Sequence, residues 1–316
     1  MAGNKEVKPV RRMLLGLTDR CNMRCSYCYV PLGRRDMTRA EVRRHLTWFI
    51  DAPGDREKLV YLYGGEPFLV PELMVDAVGY GQKIAVKRGK KLSFIVVTNG
   101  TLASRLELSF FLEHQMKVMV SFSGRGRAHD RVRPLRGGKG TYATALATLE
   151  KFVALLPNDR LWLSATVTPS GVRTLDADLR YFEKLGVKNF HVEPVIHPDY
   201  LWDKQAAVLK GAVEDFLSRL TAQAASKDKS LFNTLLCRQL EMLEGLYLPQ
   251  DYVRYNDTRF YPGRRRMYDH FELDQGQRPV YPVWDILRQV TLSAATDIVR
   301  RTRCAQYVER ALERAI

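Results

Sequence analysis

The sequence predicts an α/β fold: an open parallel sheet of six strands with flanking helices, followed by a small α+β domain. Short runs rich in β-branched and aromatic residues alternate with longer helical patterns over the first half of the chain, which is typical of βα units. Motifs with glycine or cysteine follow the strands, at the end where parallel α/β folds place their chemistry. Six such units before residue 195 are too few for a closed eight-fold barrel and favour an open (β/α)6 partial barrel.

The predicted elements alternate along the chain. Strands are expected at 13–17, 59–63, 93–97, 117–122, 162–168 and 189–195. Helices are expected at 38–49, after Pro67 to about 86, after Gly100 through 114, at 142–155 and at 174–185. Thr38 and Glu41 have the spacing of a capping box, which predicts where the first helix begins. The glycine- and arginine-rich segment 123–140 is expected to be a loop.

After residue 200 the pattern changes, which predicts a core at 1–200 and a second domain at 201–316. In the second domain, helices are expected at 203–225, 231–248 and about 295–315, with short strand-like pieces from residue 250 onward. No internal repeat beyond the βα alternation and no low-complexity tract is found.

Composition limits the class of protein. The apolar content of 46% is ample for a packed core, and no apolar run approaches the length of a membrane span. The first ten residues lack the apolar region of a secretory signal, and five cysteines do not form a disulfide framework, so a cytoplasmic setting is expected. The net charge of +15 allows an anionic partner, but it is spread along the chain, which favours solvated surface arginines.

Three of the five cysteines, Cys21, Cys25 and Cys28, fall within eight residues. Three thiolates on one loop can hold three irons of a cubane cluster and leave the fourth iron open. Structural zinc needs a fourth ligand and has paired CxxC spacing, which this loop lacks. The spacing therefore favours a cluster that binds something at its open iron.

The run from Leu17 to Tyr29, Leu-Thr-Asp-Arg-Cys-x3-Cys-x2-Cys-Tyr, and the Gly-Gly-Glu-Pro turn at 64–67 resemble the two motifs of radical S-adenosylmethionine (radical SAM) enzymes over about the first 200 residues. The resemblance implies a [4Fe-4S] cluster on Cys21, Cys25 and Cys28, with S-adenosyl-L-methionine bound to the open iron. Reduction would then release a 5′-deoxyadenosyl radical that abstracts a substrate hydrogen. An electron donor such as flavodoxin or ferredoxin is implied as a partner.

The same resemblance implies the contacts to S-adenosylmethionine. The turn glycines let the backbone approach closely, Glu66 is expected near the methionine amino group, and Tyr27 is expected beside the adenine. Polar residues at the ends of the third and fourth strands are expected near the ribose or the carboxylate, with ordinary turn capping as the alternative. The full predicted set is Tyr27, Gly64, Gly65, Glu66, Pro67, Thr98, Asn99, Ser121 and Ser123.

The segment 121–142 resembles the S-x-D-G-P, H-D-x-x-R and G-x-G-T-F stretch of peptide- and protein-modifying radical SAM enzymes such as anaerobic sulfatase maturases. Two positions depart from it: Ser123 stands where Asp is usual and Arg125 where Pro is usual, so the local substrate contacts are expected to differ. His129 and Asp130 are expected to be structural rather than catalytic.

Three residues are candidates for contact with substrate. His191 and Glu193 lie two apart in the sixth strand, so both side chains face the same side of the sheet, although a buried, satisfied histidine is the alternative. Cys304 lies near Arg301 and Arg303 and is a candidate thiol donor, with a structural cysteine as the alternative.

Enzymes of the peptide-modifying subfamily usually carry a cysteine-rich C-terminal extension, named SPASM or twitch, with auxiliary clusters. Beyond the cysteine loop this chain has only Cys237 and Cys304, which cannot ligate a cubane alone. The tail is therefore expected to be a helical linker and a cap without a cluster, either a degenerate SPASM or twitch domain or an unrelated domain that closes the barrel mouth. Cys237 lies on an apolar helical pattern and is expected to pack in a core.

Two substrate classes follow from the resemblance. The first is a ribosomally made peptide, changed by epimerisation, crosslinking or backbone rearrangement, with a separate leader-binding protein as partner because the first twelve residues leave no room for such a domain. The alternative is a small anionic metabolite or nucleoside held by arginines. A third class is a non-catalytic iron–sulfur or nucleic-acid-binding protein. Nucleic-acid binding is disfavoured because RNA-binding motifs and an aromatic-basic platform are lacking, and no membrane partner is expected.

Overall fold

The computed structural model describes residues 12–28, 30, 32–54, 56–195, five helical positions between 207 and 215, and 257–260. Its strands are β1 (Arg12–Thr18), β2 (Glu57–Gly64), β3 (Lys91–Thr98), β4 (Lys117–Phe122), β5 (Leu161–Val167), β6 (Phe190–Pro194) and β7 (Asp257–Phe260). Its helices are α1 (Arg39–Asp51), α2 (Pro71–Lys87), α3 (Ser109–Glu113), α4 (Arg127–Val132), α5 (Tyr142–Leu155) and α6 (Leu175–Lys184). Among these residues, no helix is long and apolar enough to cross a lipid bilayer.

The strands follow the order β6-β5-β4-β3-β2-β1-β7. The pairs β1–β2, β2–β3 and β5–β6 are parallel, so the predicted α/β fold with a parallel six-stranded sheet is confirmed. The structure adds β7, which pairs in parallel with β1 at the edge of the sheet. The sequence does not predict β7, because four residues carry too little periodicity to identify a strand. In addition, β1, with which β7 pairs, lies more than 230 residues away in sequence.

The chain divides into two compact units. Within the described residues, the first unit contains 12–22, the segment from 30 to 119 and strand β7, whereas the second contains 23–28 and 120–195. The predicted boundary at residues 200 and 201 and the predicted helices at 231–248 and 295–315 lie outside the described residues, and so does most of the predicted helix at 203–225.

The core of the first unit lies between its strands and the helices α1 and α2. Leu15 pairs with Leu62, and Leu62 pairs with Val96, so the three side chains share one level of the sheet. All three are completely buried, and burying a side chain of this size contributes about 2 kcal/mol each. The helices bury residues at spacings of three and four, the period of a helix with one buried face; these are Val42, Leu46, Phe49 and Ile50 in α1 and Leu73, Met74, Ala77, Val78, Gly81 and Ala85 in α2.

Helix α1 begins as predicted. Thr38 is its N-cap and accepts from the Glu41 amide, while the Glu41 carboxylate accepts from the Thr38 amide at 2.8 Å. The capping box satisfies two of the amide donors that a helix start leaves without partners.

The second unit has a similar helix-on-strand core. Helix α5 buries Ala145, Leu149 and Phe152 at helical spacing. The ring of Phe122, at the end of β4, lies 4.9 Å from the ring of Phe182 in α6. The burial of both rings holds α6 against the end of β4.

Two predicted segments were wrong in detail. The helix expected up to residue 114 is a 3-10 turn at Ala103–Arg105 followed by the short helix α3, because Leu106, with φ −135° and ψ 139°, is extended and interrupts the helical backbone. The segment 123–140, expected to be a loop, contains α4, which follows Gly126 at a φ of +51°. Six residues are too few for sequence periodicity to show a helix.

Asp130 joins α4 to the beginning of α5. Its carboxylate oxygen Oδ1 accepts from the amides of Thr141 and Tyr142, both at 2.7 Å. A Cβ atom on Gly140 would stand 2.5 Å from the same carboxylate, so glycine is required for this approach. This contact gives Asp130 the structural role that the sequence predicts.

We therefore expect Asp130→Ala to lower the free energy of unfolding by about 1 kcal/mol or more, the usual cost of losing a helix N-cap. Asp130→Asn keeps the Oδ1 acceptor and should lose less than half as much. Urea denaturation followed by circular dichroism measures both, and an Asp130→Ala protein as stable as the wild type would contradict the capping role.

Candidate active site

The segment that leads into the cysteine loop is held by Asp36. The Arg20 guanidinium donates to both Asp36 oxygens, at 2.8 and 2.6 Å, and the Thr18 hydroxyl donates at 2.5 Å. Burial by itself raises the pKa of Asp36, but the hydrogen bonds from Arg20 and Thr18 outweigh it and hold the pKa below its ordinary value. Asp36 is therefore a carboxylate at neutral pH, and it fixes the residue that precedes Cys21.

The Gly-Gly-Glu-Pro turn packs its backbone against the same segment. Gly64 has a φ of +122°, and a Cβ atom there would stand 2.2 Å from the Thr18 carbonyl oxygen. At Gly65 a Cβ atom would stand 1.9 Å from the Arg20 carbonyl oxygen. The absence of side chains allows the amides of Gly65 and Glu66 to donate to those two carbonyls, at 2.8 and 2.9 Å. Both glycines are thus required where the sequence motif places them.

Glu66 joins the ends of β2 and β3. Its side chain is completely buried. The carboxylate accepts from the Phe68 amide at 3.2 Å, the Thr98 hydroxyl at 2.8 Å and the Asn99 amide at 2.8 Å. Pro67, also buried, begins the short turn Pro67–Leu69 that Glu66 caps. The role of Glu66, Pro67 and Thr98 toward S-adenosylmethionine stays a prediction.

Asn99 contacts the cysteine loop through its side chain. Its Nδ2 donates to Asn22 Oδ1 at 2.9 Å and points at Cys21 Sγ at 3.9 Å. Thr101 donates to Asn99 Oδ1 and accepts from Asn22 Nδ2. Sequence reasoning proposed Asn99 but missed Asn22 and Thr101, for which the only available signal was their position beside motif residues.

In the second unit, Tyr27 is held by two polar partners. Its hydroxyl lies 2.6 Å from Ser123 Oγ, and Arg133 Nη1 donates to it at 2.6 Å. Burial raises the pKa of Tyr27, although the Arg133 charge opposes this. Cys25 packs against the small apolar cluster that Tyr27 forms with Val132 and Val195. Ser121 lies in β4 and is partly exposed, and its predicted contact stays a prediction.

Residues 24–26 run beside the segment that follows α4. The amides of Arg24 and Ser26 donate to the carbonyls of Pro134 and Val132, at 2.9 and 3.0 Å. Arg133, which lies within this segment, is the arginine of the H-D-x-x-R pattern, and the sequence analysis does not predict it as a site residue. Its burial beside Tyr27 could have been suspected only from the H-D-x-x-R spacing.

His129 and Arg125 have packing roles within the second unit. The His129 ring lies 5.2 Å from the ring of Phe122 and 5.7 Å from that of Tyr142. Burial, and then the Arg133 charge, lowers the pKa of His129 to about 2, so the ring is neutral.

Arg125 donates to Asp178 at 2.5 Å and lies over the Tyr181 ring, 5.1 Å from its centre. The arginine that replaces the usual proline thus ties its loop to α6. The other departure from the subfamily pattern, Ser123, also has an internal partner, the Tyr27 hydroxyl.

His191 is a buried polar residue of β6, paired in register with Ser164 of β5. Within the described residues neither ring nitrogen has a hydrogen-bond partner, and burial lowers the pKa of His191 to about 4. Glu193 lies two residues further along, opposite Thr166. Cys304, the third candidate for contact with substrate, lies outside the described residues, as does Cys237.

Cys21, Cys25 and Cys28 are half-buried thiols. The boundary between the two units crosses their loop, so that Cys21 belongs to the first unit and the other two to the second. In the described part of the chain, no three His, Cys, Asp or Glu side chains are grouped as they would be around a bound metal ion. The donor set nevertheless fits an iron–sulfur cluster, because three thiols share one loop and an amide N–H points at one of them.

A sequence model of the Radical SAM superfamily matches residues 15–182, which is more than half of the chain. The chain belongs to the radical SAM superfamily. Members of this superfamily use a [4Fe-4S] cluster and S-adenosylmethionine as cofactors.

Three relatives of this member of the superfamily show how far the similarity extends. The serine-type anaerobic sulfatase-maturating enzyme of Klebsiella aerogenes is 29% identical over 137 residues, 41% of this chain and 33% of that protein. The structure of anSMEcpe with bound AdoMet and Kp18Cys peptide has a TM-score of 0.58 at 20% identity, covering 68% of this chain and 61% of that one. Streptococcus suis SuiB bound to precursor peptide SuiA has a TM-score of 0.57 at 14% identity, covering 89% and 65%.

The chain thus spans about a third of the curated sulfatase-maturating relative and less than two thirds of the two solved chains. At these identities the solved structures show a shared fold. They confirm the predicted open α/β radical SAM core.

We expect Gly65→Ala to prevent the turn from pairing with Arg20, because the new methyl group would overlap its carbonyl oxygen. The iron content after anaerobic reconstitution and the melting temperature should both fall. Gly79→Ala is the matched control: it lies inside α2 with no atom within 4 Å of the added Cβ, so it should be neutral or stabilising by about 0.5–1 kcal/mol. Equal iron content in the two variants would show that the close approach at Gly65 is dispensable.

Asp36 should make the apoprotein sensitive to acid. Because the folded-state pKa of Asp36 lies below its unfolded value, its contribution is present above that unfolded value, near pH 4, and is lost as pH falls through the folded-state pKa. The difference in unfolding free energy between wild type and Asp36→Asn should therefore be constant near neutral pH and shrink below about pH 4. Glu57→Gln, which removes an exposed ion pair with Lys91, should change stability little at any pH.

Proposed function

We propose that this radical SAM enzyme modifies a ribosomally made peptide by abstracting a hydrogen atom from carbon. The supporting observation is the interlocked fold of 121–142, the segment by which the sequence resembles peptide-modifying members of the superfamily. Asp130 caps the helix that begins after Thr141, and His129 packs on Tyr142, so the separate pieces of that pattern form one folded unit. Relatives named for sulfatase maturation or crystallised with peptides support the same substrate class.

The proposal assigns one cluster to this chain. Three of its five cysteines lie in the loop 21–28, and the other two are Cys237 and Cys304. Without an auxiliary cluster to accept an electron, the favoured outcomes are those in which the substrate radical is quenched by hydrogen donation or by fragmentation. A single cluster therefore favours epimerisation or backbone rearrangement of the peptide over crosslinking.

When bound, the cluster and S-adenosylmethionine supply a 5′-deoxyadenosyl radical that removes the substrate hydrogen. The residues of this chain position those groups. Cys21, Cys25 and Cys28 are the proposed ligands, and Glu66 is proposed to lie near the methionine amino group. Tyr27, oriented by Arg133 and Ser123, is proposed to flank the adenine.

His191 is the proposed polar contact to substrate. A neutral imidazole offers one donor and one acceptor nitrogen, which complements the carbonyl and N–H of a peptide bond. Burial costs such a group several kcal/mol unless its nitrogens are satisfied. Glu193 and Cys304 remain further candidates, the latter as a hydrogen-atom donor.

Two protein partners belong to the proposal. One is an acidic one-electron donor such as flavodoxin or ferredoxin, which the net charge of +15 would attract. The other is a separate protein that binds the leader of the precursor peptide.

The test is anaerobic turnover with the peptide encoded next to this gene. We expect reduced, reconstituted protein to cleave S-adenosylmethionine to 5′-deoxyadenosine, faster with the peptide present, and to change the mass or stereochemistry of the peptide. Chromatography and mass spectrometry in D2O measure both, since epimerisation incorporates solvent deuterium. Cys25→Ala, which removes one ligand, should abolish both. Cleavage without any change in the peptide would contradict the peptide assignment and leave the radical SAM activity standing.

The alternative substrate is a small anionic metabolite or nucleoside, held by arginines. Two arginines of the basic segment 125–139 already have internal partners, since Arg125 pairs with Asp178 and Arg133 donates to Tyr27. This favours the peptide over the small anion as substrate. Sugar- or nucleotide-modifying enzymes encoded beside this gene, in place of a short peptide, would favour it.

A further inference from the structure

A closed ring of side-chain hydrogen bonds lies beside Cys21. Asn99 Nδ2 donates to Asn22 Oδ1 at 2.9 Å, Asn22 Nδ2 donates to Thr101 Oγ1 at 2.8 Å, and Thr101 Oγ1 donates to Asn99 Oδ1 at 2.7 Å. We call these three residues the amide ring. Each contact in it lies within the first unit, and its partners come from the cysteine loop and from the turn after β3.

The amide ring fixes which way the Asn99 side chain points. Asn99 Oδ1 accepts twice from Thr101, from the hydroxyl and from the backbone amide at 2.9 Å. Rotating the Asn99 side-chain amide by half a turn would place its NH2 group against the Thr101 backbone N–H, so that two donors would face each other. The same rotation would place Asn99 Oδ1 against Asn22 Oδ1, so that two acceptors would face each other. The network therefore assigns the nitrogen to the side that faces Cys21.

The Nδ2 group faces the Cys21 sulfur at 3.9 Å, within the range of a hydrogen bond to sulfur. Asn99 itself is nearly buried, and its backbone amide is held by the Glu66 carboxylate. The donor is thus held from both its side chain and its main chain. Such a donor is set in place before any cofactor binds.

We propose that Asn99 is a positioning residue for the cluster, which orients Cys21 and raises the reduction potential through an N–H···S hydrogen bond. A donor to a ligating sulfur stabilises the more negative, reduced state more than the oxidised state. Asn22 and Thr101 act through Asn99 by holding its amide. The proposal rests on the family's cluster at Cys21 and is independent of the substrate.

The test is a potentiometric titration of the reconstituted full chain, followed by electron paramagnetic resonance without S-adenosylmethionine. Asn99→Ser keeps an oxygen that can accept from the Thr101 amide but has no amide donor. At a fixed potential we expect its ratio of reduced to oxidised cluster to fall about tenfold, which for one electron is a shift of about 59 mV to more negative potential. Gln82→Leu is the control, because it removes a side-chain amide of α2 that donates to the His114 carbonyl and is not part of the amide ring. The midpoint potential of this variant should equal that of the wild type.

Thr101→Val tests the ring separately. It removes the hydroxyl that holds Asn99 and Asn22 while Asn99 keeps its donor, so we expect a smaller shift of the same sign. If Asn99→Ser melts well below the wild type, the test rests on Thr101→Val. A lowered midpoint potential in Thr101→Val then supports the proposal, and an unchanged midpoint potential overturns it. An Asn99→Ser protein with wild-type iron content and wild-type midpoint also overturns it. Loss of iron from Asn99→Ser at a normal melting temperature supports the positioning role, whereas a wild type that binds no iron would instead contradict the cofactor assignment.

Discussion

The close approach of the Gly-Gly-Glu-Pro turn to the end of β1 is the contact on which the site depends. A Cβ atom on Gly64 would lie 2.2 Å from the Thr18 carbonyl oxygen, and one on Gly65 would lie 1.9 Å from the Arg20 carbonyl oxygen. This lets two amides of the turn donate to Thr18 and Arg20, directly before Cys21. The start of the cysteine loop is therefore set by backbone hydrogen bonds, which tolerate no side chain at the two glycines.

The same contact positions the other polar residues of the site in the first unit. The turn places Glu66 in the core, where its carboxylate accepts from Thr98 and Asn99 and so fixes the end of the third strand relative to the second. Asn99 in turn reaches the loop through its side chain. Three sequence motifs that are separated by tens of residues thus become one hydrogen-bonded assembly. Polar groups buried in this way require partners, and each motif supplies those of another.

In the second unit, side-chain contacts hold the loop after β4. Its loop after β4 departs from the subfamily pattern at Ser123 and Arg125, yet both residues have defined contacts. Ser123 shares a hydrogen bond with Tyr27, and Arg125 pairs with Asp178. The Asp178 carboxylate is nearly buried and Arg125 is partly exposed, a placement that lets the ion pair anchor the loop while the arginine head stays hydrated. We interpret the departures as a changed way of holding this loop.

The sequence by itself determined the α/β class, the strands β1 to β6, the capped start of α1 and the two family motifs, because these depend on local periodicity and on glycine or cysteine at fixed spacing. It could not show α4 or β7, which are too short to carry a period, nor the amide ring, whose members Asn22 and Thr101 lie 79 residues apart. Only the tertiary structure decided these, because a hydrogen bond between loops depends on where the strands end in space and leaves no pattern in either loop alone.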